Sequence, residues 1–131
     1  MLADDHPDIL DELRRLLTPE FEVIAAVKDG EALVRAAAEL SPDAVISDIY
    51  MTGGDGIESG ALILRQGLCS AVIVLTMYDN PHLVRRTLAQ GIRGYVLKED
   101  ASEELIAAVH TVIGGGEYLS CGVRDQREGE T

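Results

Sequence analysis

Short apolar runs alternate with longer amphipathic ones along most of this chain. The sharpest is Ala71-Val72-Ile73-Val74-Leu75. A run so short and continuous reads as a strand covered on both faces. Residues 7–17 instead place Ile9, Leu10, Leu13, Leu16 and Leu17 at helical spacing, with Pro7 suited to a first turn. Further on, strands are expected at residues 21–27, 44–48 and 94–97, and Leu2-Ala3 reads as the end of a first strand. Helices are expected at 31–40, stopped by Ser41-Pro42, at 57–66, from Asn80-Pro81 to near Gly91, and at 103–113. Asp100 or Ser102 can cap the last helix, and Gly114-Gly115-Gly116 ends it. Residues 49–56, with three glycines, read as a loop. Strand–helix five times over implies an α/β fold, a parallel sheet with helices on both faces. Right-handed crossovers restrict the strand order, and a site forms at the carboxyl ends of the strands.

The residues at those ends are polar and specific. Asp4 and Asp5 follow the first strand, Asp48 the third, Thr76 the fourth and Lys98 the fifth. A strand-end aspartate alone is usually a cap or turn former, and a lone lysine is usually just solvated. Three carboxylates, a hydroxyl and an ammonium at one rim form a pocket. Adjacent carboxylates repel, so the pocket calls for a cation. Mg²⁺ suits it, being a hard ion that prefers oxygen ligands and keeps several waters.

Composition excludes other classes. The chain has 131 residues, the size of one domain, with 23 acidic against 11 basic side chains and a net charge of −12. Such a surface repels phosphate backbones, so this domain alone is expected to bind no nucleic acid. No apolar run reaches the length of a membrane span, and no basic-then-apolar leader precedes the first strand. Cys69 and Cys121 form no metal-binding or CxxC pattern. They read as reduced thiols, and the expected location is cytoplasmic. His6, His82 and His110 carry no expected chemistry. His6 reads as a loop or cap residue.

The stretches LADDHP, AVISD, MTGGDG, VLTMYD and GYVLKEDAS together resemble the receiver domain of two-component response regulators. The likeness is strongest to the NarL/FixJ-like subfamily, whose members usually carry a C-terminal LuxR-type helix-turn-helix. It runs from Leu2 to about Gly116, so residues 1–116 are expected to form the receiver and 117–131 a polar tail or linker start. The implied fold is a flavodoxin-like (βα)5 doubly wound sheet in order 2-1-3-4-5. The implied function is acceptance of a phosphoryl group on Asp48 from a sensor histidine kinase. Asp5 would ligate Mg²⁺ directly, Asp4 through water, joined by Asp48 and the backbone carbonyl of Tyr50. Lys98 and Thr76 would contact the phosphoryl oxygens. Thr76 and Tyr95 would form the switch, with Tyr95 turning from exposed to buried. Arg85, Arg86, Arg93 and Tyr95 would lie on the remodelled face, which controls dimerisation or an output domain in transcription. Tyr50 and Tyr78, each two places after a site residue, would tune the phosphoryl lifetime. The protein would act on itself and not as a conventional enzyme.

Three departures from the family pattern carry expectations. The first strand is cut short before Asp4, which should lower stability relative to a chain extended at its N-terminus. Thr52 and Gly54 stand where the family favours proline and a large apolar residue, so the loop should be looser. The chain also ends before any helix-turn-helix. Rival readings fit less well. An aspartyl-phosphate phosphatase would want a second acid at Tyr50, and a flavin-binding module would not put two carboxylates where a phosphate must sit. A degenerate receiver would lack a site residue, and none is missing.

Overall fold

A computed structural model describes residues 1–124. The elements are β1 (Leu2–Ala3), α1 (Pro7–Leu17), β2 (Ala26–Val27), α2 (Gly30–Leu40), β3 (Val45–Ser47), β4 (Tyr50–Met51), β5 (Gly54–Asp55), α3 (Gly56–Arg65), β6 (Val72–Thr76), α4 (Pro81–Ala89), β7 (Gly94–Leu97), a 3-10 turn (Lys98–Asp100), α5 (Ala101–Ile113) and β8 (Tyr118–Leu119). The main sheet is parallel in order β2-β1-β3-β6-β7-β8. With the β4–β5 hairpin numbered in, its first five strands keep the expected order.

Period-2 alternation sorts the strand side chains between two cores. Val72, Val74, Tyr95 and Leu97 face α2, α3 and α4, where Leu33, Ala37, Ile57, Ile63 and Leu83 cover them. Ile46, Ile73, Leu75 and Val96 face α1 and α5, where Leu10, Leu13, Leu17, Leu105 and Val109 cover them. Helix α1 has Pro7 in its first turn and Arg14 and Arg15 in its last, which suits the helix dipole. Helix α2 is capped by Asp29, which accepts from the Ala32 amide at 2.7 Å. It ends at Ser41, in a left-handed conformation with φ 48°, just before Pro42.

Several boundaries differ from expectation. The strand expected at 21–27 shrinks to Ala26–Val27 because its one neighbour, β1, offers only Leu2 and Ala3 for pairing. The 49–56 loop contains the β4–β5 hairpin. Helix α5 starts two residues early, at Ala101. Asp100 stands at its N-cap without capping it, because that carboxylate accepts from the Gly122 amide instead. The expected tail contributes a sixth strand, β8, parallel to β7, and Val123 beyond it is fully buried. The remainder of that tail, residues 125–131, lies outside the described residues.

Candidate functional site

Strand register places the acids. Ala3 pairs with Ser47, so Asp4 and Asp48 leave neighbouring strands side by side. The Asp48 amide donates to the Ala3 carbonyl at 2.9 Å, which fixes that placement. On the other side Thr76 pairs with Leu97, so Lys98 leaves the sheet next to Thr76. A slip of one residue in either pairing would turn these side chains to the opposite face.

The Lys98 ammonium joins the two acids. Its Nζ lies 2.8 Å from Asp4 Oδ2 and 3.0 Å from Asp48 Oδ2. Burial works against the Lys98 charge, yet the hydrogen bonds it donates to Asp4 and Asp48 outweigh it and raise its pKa. The acids respond in opposite directions. Burial would raise Asp4, but Lys98 and the two His6 bonds prevail, so its pKa is lowered. Burial prevails at Asp48, so its pKa is raised despite Lys98. The other oxygen of Asp48 accepts the Ile49 amide at 2.7 Å. Both carboxylates are buried.

Asp5 is held differently. Its Oδ2 accepts from the Thr52 amide at 3.2 Å and the Thr52 hydroxyl at 3.3 Å. Thr52, at the position where looseness was expected, thus fastens the hairpin to the acid pocket. Asp5 Oδ1 is buried and has no hydrogen-bond partner, although His6 Nδ1 stands 3.1 Å away without the alignment for a bond. His6 occupies the N-cap position of α1 but does not cap it. Its ring and its amide both meet Asp4 Oδ1 at 2.9 Å, and the Asp4 bond raises its pKa. The Asp4 and Asp48 carboxylates and the His6 ring bring potential ligand atoms within 4.8 Å of one another. The buried Asp4 and Asp48 carboxylates, followed in the chain by the partly buried Asp5 with its orphaned Oδ1, have the chemistry that fits a small hard cation.

Gly56 matters for space. A Cβ there would lie 1.7 Å from the Asp48 carbonyl oxygen and 2.8 Å from Ser47 Oγ. Its φ is not in the left-handed region, so the requirement for glycine is steric.

The switch candidates are linked through the β6–α4 connection. Thr76 is fully buried, and its Oγ1 accepts the Tyr78 amide at 3.3 Å. Tyr95 is also fully buried, and its hydroxyl donates to the Tyr78 carbonyl at 2.5 Å. Burial pushes its phenol well above the usual range. Tyr50 and Tyr78 are half exposed, with rings edge-to-face at 5.2 Å between centroids. Arg86 and Arg93 each have a partner, Arg86 partly buried and Arg93 exposed. Arg86 pairs with Asp55 at 2.7 Å, and Arg93 donates to the Gly115 carbonyl. Asp55 itself caps α3 through the Ile57 and Glu58 amides. The Asp55-Gly-Ile-Glu58 spacing of a capping box could have revealed that role in the sequence.

Residues 1–110 match the response regulator receiver domain. The chain belongs to that family. This receiver is 35% identical over 121 residues to the transcriptional regulatory protein DegU of Brevibacillus brevis, covering 91% of this chain and 51% of DegU. It is 29% identical over 122 residues to the nitrate/nitrite response regulator protein NarL of Escherichia coli, covering 92% and 56%. A LuxR-family two-component response regulator from Aurantimonas superposes with TM-score 0.92 at 28% identity, covering 99% of this receiver and 94% of that chain. The isolated REC domain of RcsB from Salmonella enterica serovar Typhimurium, with the phosphomimetic BeF3-, gives TM-score 0.85 at 32% identity, covering 95% and 94%. The receiver spans about half the length of the curated relatives it matches. It is a two-component response regulator receiver, its relatives are transcriptional regulators, and its sheet is the flavodoxin-like one expected. No described helix is long and apolar enough to cross a membrane.

Proposed function

We propose that this receiver is a phosphoacceptor and that Asp48 takes the phosphoryl group from a phosphohistidine on a sensor histidine kinase. The Lys98 ammonium bridging Asp4 and Asp48 carries the reading, because it sets a fixed positive charge where phosphoryl oxygens must be received. A carboxylate oxygen of Asp48 attacks phosphorus and forms an acyl phosphate. The P–N bond of the donor breaks, and its electron pair returns to the imidazole. Positioning and charge balance are what this transfer asks of the protein. Asp4, Asp5, Asp48 and the Tyr50 backbone carbonyl would hold Mg²⁺. Bound there, Mg²⁺ supplies positive charge against the carboxylates and the phosphoryl oxygens. Lys98 then gives its ammonium to one phosphoryl oxygen, and Thr76 gives its hydroxyl to another. The Thr76 hydroxyl that moves now accepts the Tyr78 amide, and Tyr95 leans on the Tyr78 carbonyl. The switch therefore acts through the Tyr78 backbone, with Tyr95 in its inward position.

The protein modifies itself and turns over no separate substrate. Dimerisation on phosphorylation, transcriptional output through a further domain and a cytoplasmic location complete the proposal. Its relatives' names and the DNA-bound structure of RcsB support the output assignment.

Incubation with Mg²⁺ and acetyl phosphate, followed by intact mass, tests the reading. One phosphoryl group should be gained, and lost in Asp48→Ala and in a metal-free sample. A folded protein with no gain, or a gain that survives Asp48→Ala, overturns it. The exposed Tyr50–Tyr78 pair shields the acyl phosphate from water. Replacing both by alanine should shorten its lifetime about tenfold, the scale of a 1.4 kcal/mol loss of protection. An unchanged hydrolysis rate rejects the shielding role.

A further inference from the structure

Residues 118–124 are held by contacts that the acid pocket does not use. The Tyr118 amide donates to the Arg93 carbonyl at 2.8 Å, and the Ser120 amide to the Tyr95 carbonyl at 3.0 Å. The fully buried Ser120 hydroxyl accepts the Leu97 amide at 3.1 Å. The Gly122 amide donates to Asp100 Oδ2 at 3.3 Å. On α5, the Glu104 carboxylate accepts from the Tyr118 hydroxyl at 2.8 Å, the Cys121 amide at 3.0 Å and Arg124 Nη2 at 3.3 Å.

The position of these attachments is informative. Leu97 and Asp100 lie on either side of Lys98, whose ammonium rests on Asp4 and Asp48. One short turn is thus gripped by the acid pocket through its side chain and by residues 118–124 through its flanks. We propose that residues 118–124 are a latch seated on both sides of Lys98, and that phosphorylation of Asp48 loosens it. The proposal rests on the phosphoacceptor reading. New phosphoryl oxygens draw Lys98 away from Asp4, and the turn of Lys98–Asp100 follows its side chain. The Gly122 bond is already at the long end of the hydrogen-bond range, so a small shift breaks it. The coupling is reciprocal: a state of the pocket that weakens the latch is favoured when the latch is weakened first.

Hydrogen exchange read by mass spectrometry, with Mg²⁺ and with or without acetyl phosphate, tests the latch. Intact mass of the same samples reports phosphoryl gain. Amides of 118–124 should exchange about fivefold faster or more in the phosphorylated protein, the lower end of coupling between sites. Unchanged or slower exchange with full phosphoryl gain overturns the latch and leaves the phosphoacceptor reading intact. No phosphoryl gain overturns that reading, and the latch with it. Ser120→Ala should exchange fast in both samples, so the difference collapses. A difference as large as in the unaltered protein rejects Ser120 as the seat. Glu104→Gln, which keeps side-chain volume, asks the same of the opposite end if Ser120→Ala fails to fold.

Discussion

A missing methyl group at residue 56 helps decide whether the pocket can form. Residue 56 begins α3 directly under Asp48, and any Cβ there collides with the Asp48 carbonyl oxygen and approaches Ser47 Oγ. Backbone and a buried hydroxyl cannot swing aside as a flexible side-chain end can. Gly56→Ala must therefore move either the start of α3 or the Asp48 backbone, and overpacking of this kind costs about 1–3 kcal/mol. Movement of the Asp48 backbone displaces its carboxylate from Lys98 Nζ. Gly56→Ala should unfold at lower urea with an unchanged slope, and should lose phosphorylation rate well beyond its loss of stability. Wild-type phosphorylation kinetics in a destabilised Gly56→Ala would show that the clash is relieved away from Asp48.

Among the elements, α3 and α4 are joined by one carboxylate. Asp55 caps α3 with Oδ1 and pairs with Arg86 of α4 through Oδ2. Asp55→Ala should cost about 1 kcal/mol from the cap. The half-exposed Arg86 pair adds up to about 1 kcal/mol. Arg86→Ala should cost the smaller amount alone, and a double-mutant cycle by urea unfolding separates the two contributions; equal losses from both variants would mean that the cap contributes nothing. The same scale explains what the sequence disclosed. The strands and the clustering of Asp4, Asp48, Thr76 and Lys98 were legible because apolar runs such as Ala71–Leu75 fix the strands, and strand ends in a parallel sheet share one rim; the strand order came only with the receiver resemblance. Element edges were less legible. Residues 22–25 carry strand-like side chains but lack a partner strand, because β1 pairs through Leu2 and Ala3 alone. Strand β8 escaped notice because two residues in a polar stretch show no period. Its placement depends on the free edge of β7 and on Ser120 and Glu104, contacts distant in sequence. His6 on Asp4 was hidden for a related reason: a ring's partner depends on how the chain turns into α1.

Taken whole, the molecule carries a net charge of −12, with buried acids at one end of its sheet. Two effects of salt follow and can be separated. General screening weakens repulsion among surface carboxylates beyond about 8 Å at physiological ionic strength, whichever cation is present. A cation bound in the pocket of the folded state adds stability by mass action, about 2.7 kcal/mol at about a hundred times its dissociation constant. NaCl should therefore raise the thermal midpoint modestly, and MgCl2 at matched ionic strength should raise it further. The excess belongs to the pocket, and Asp5 is the residue that isolates it. Its Oδ1 has no hydrogen-bond partner to lose, and neither of its oxygens touches Lys98. Asp5→Asn should keep the response to NaCl and lose most of the excess from MgCl2. If the two salts act equally on the unaltered protein at matched ionic strength, the pocket holds no Mg²⁺ and the cation assignment fails. If the excess survives Asp5→Asn, the ion is held by Asp4 and Asp48 without the orphaned oxygen.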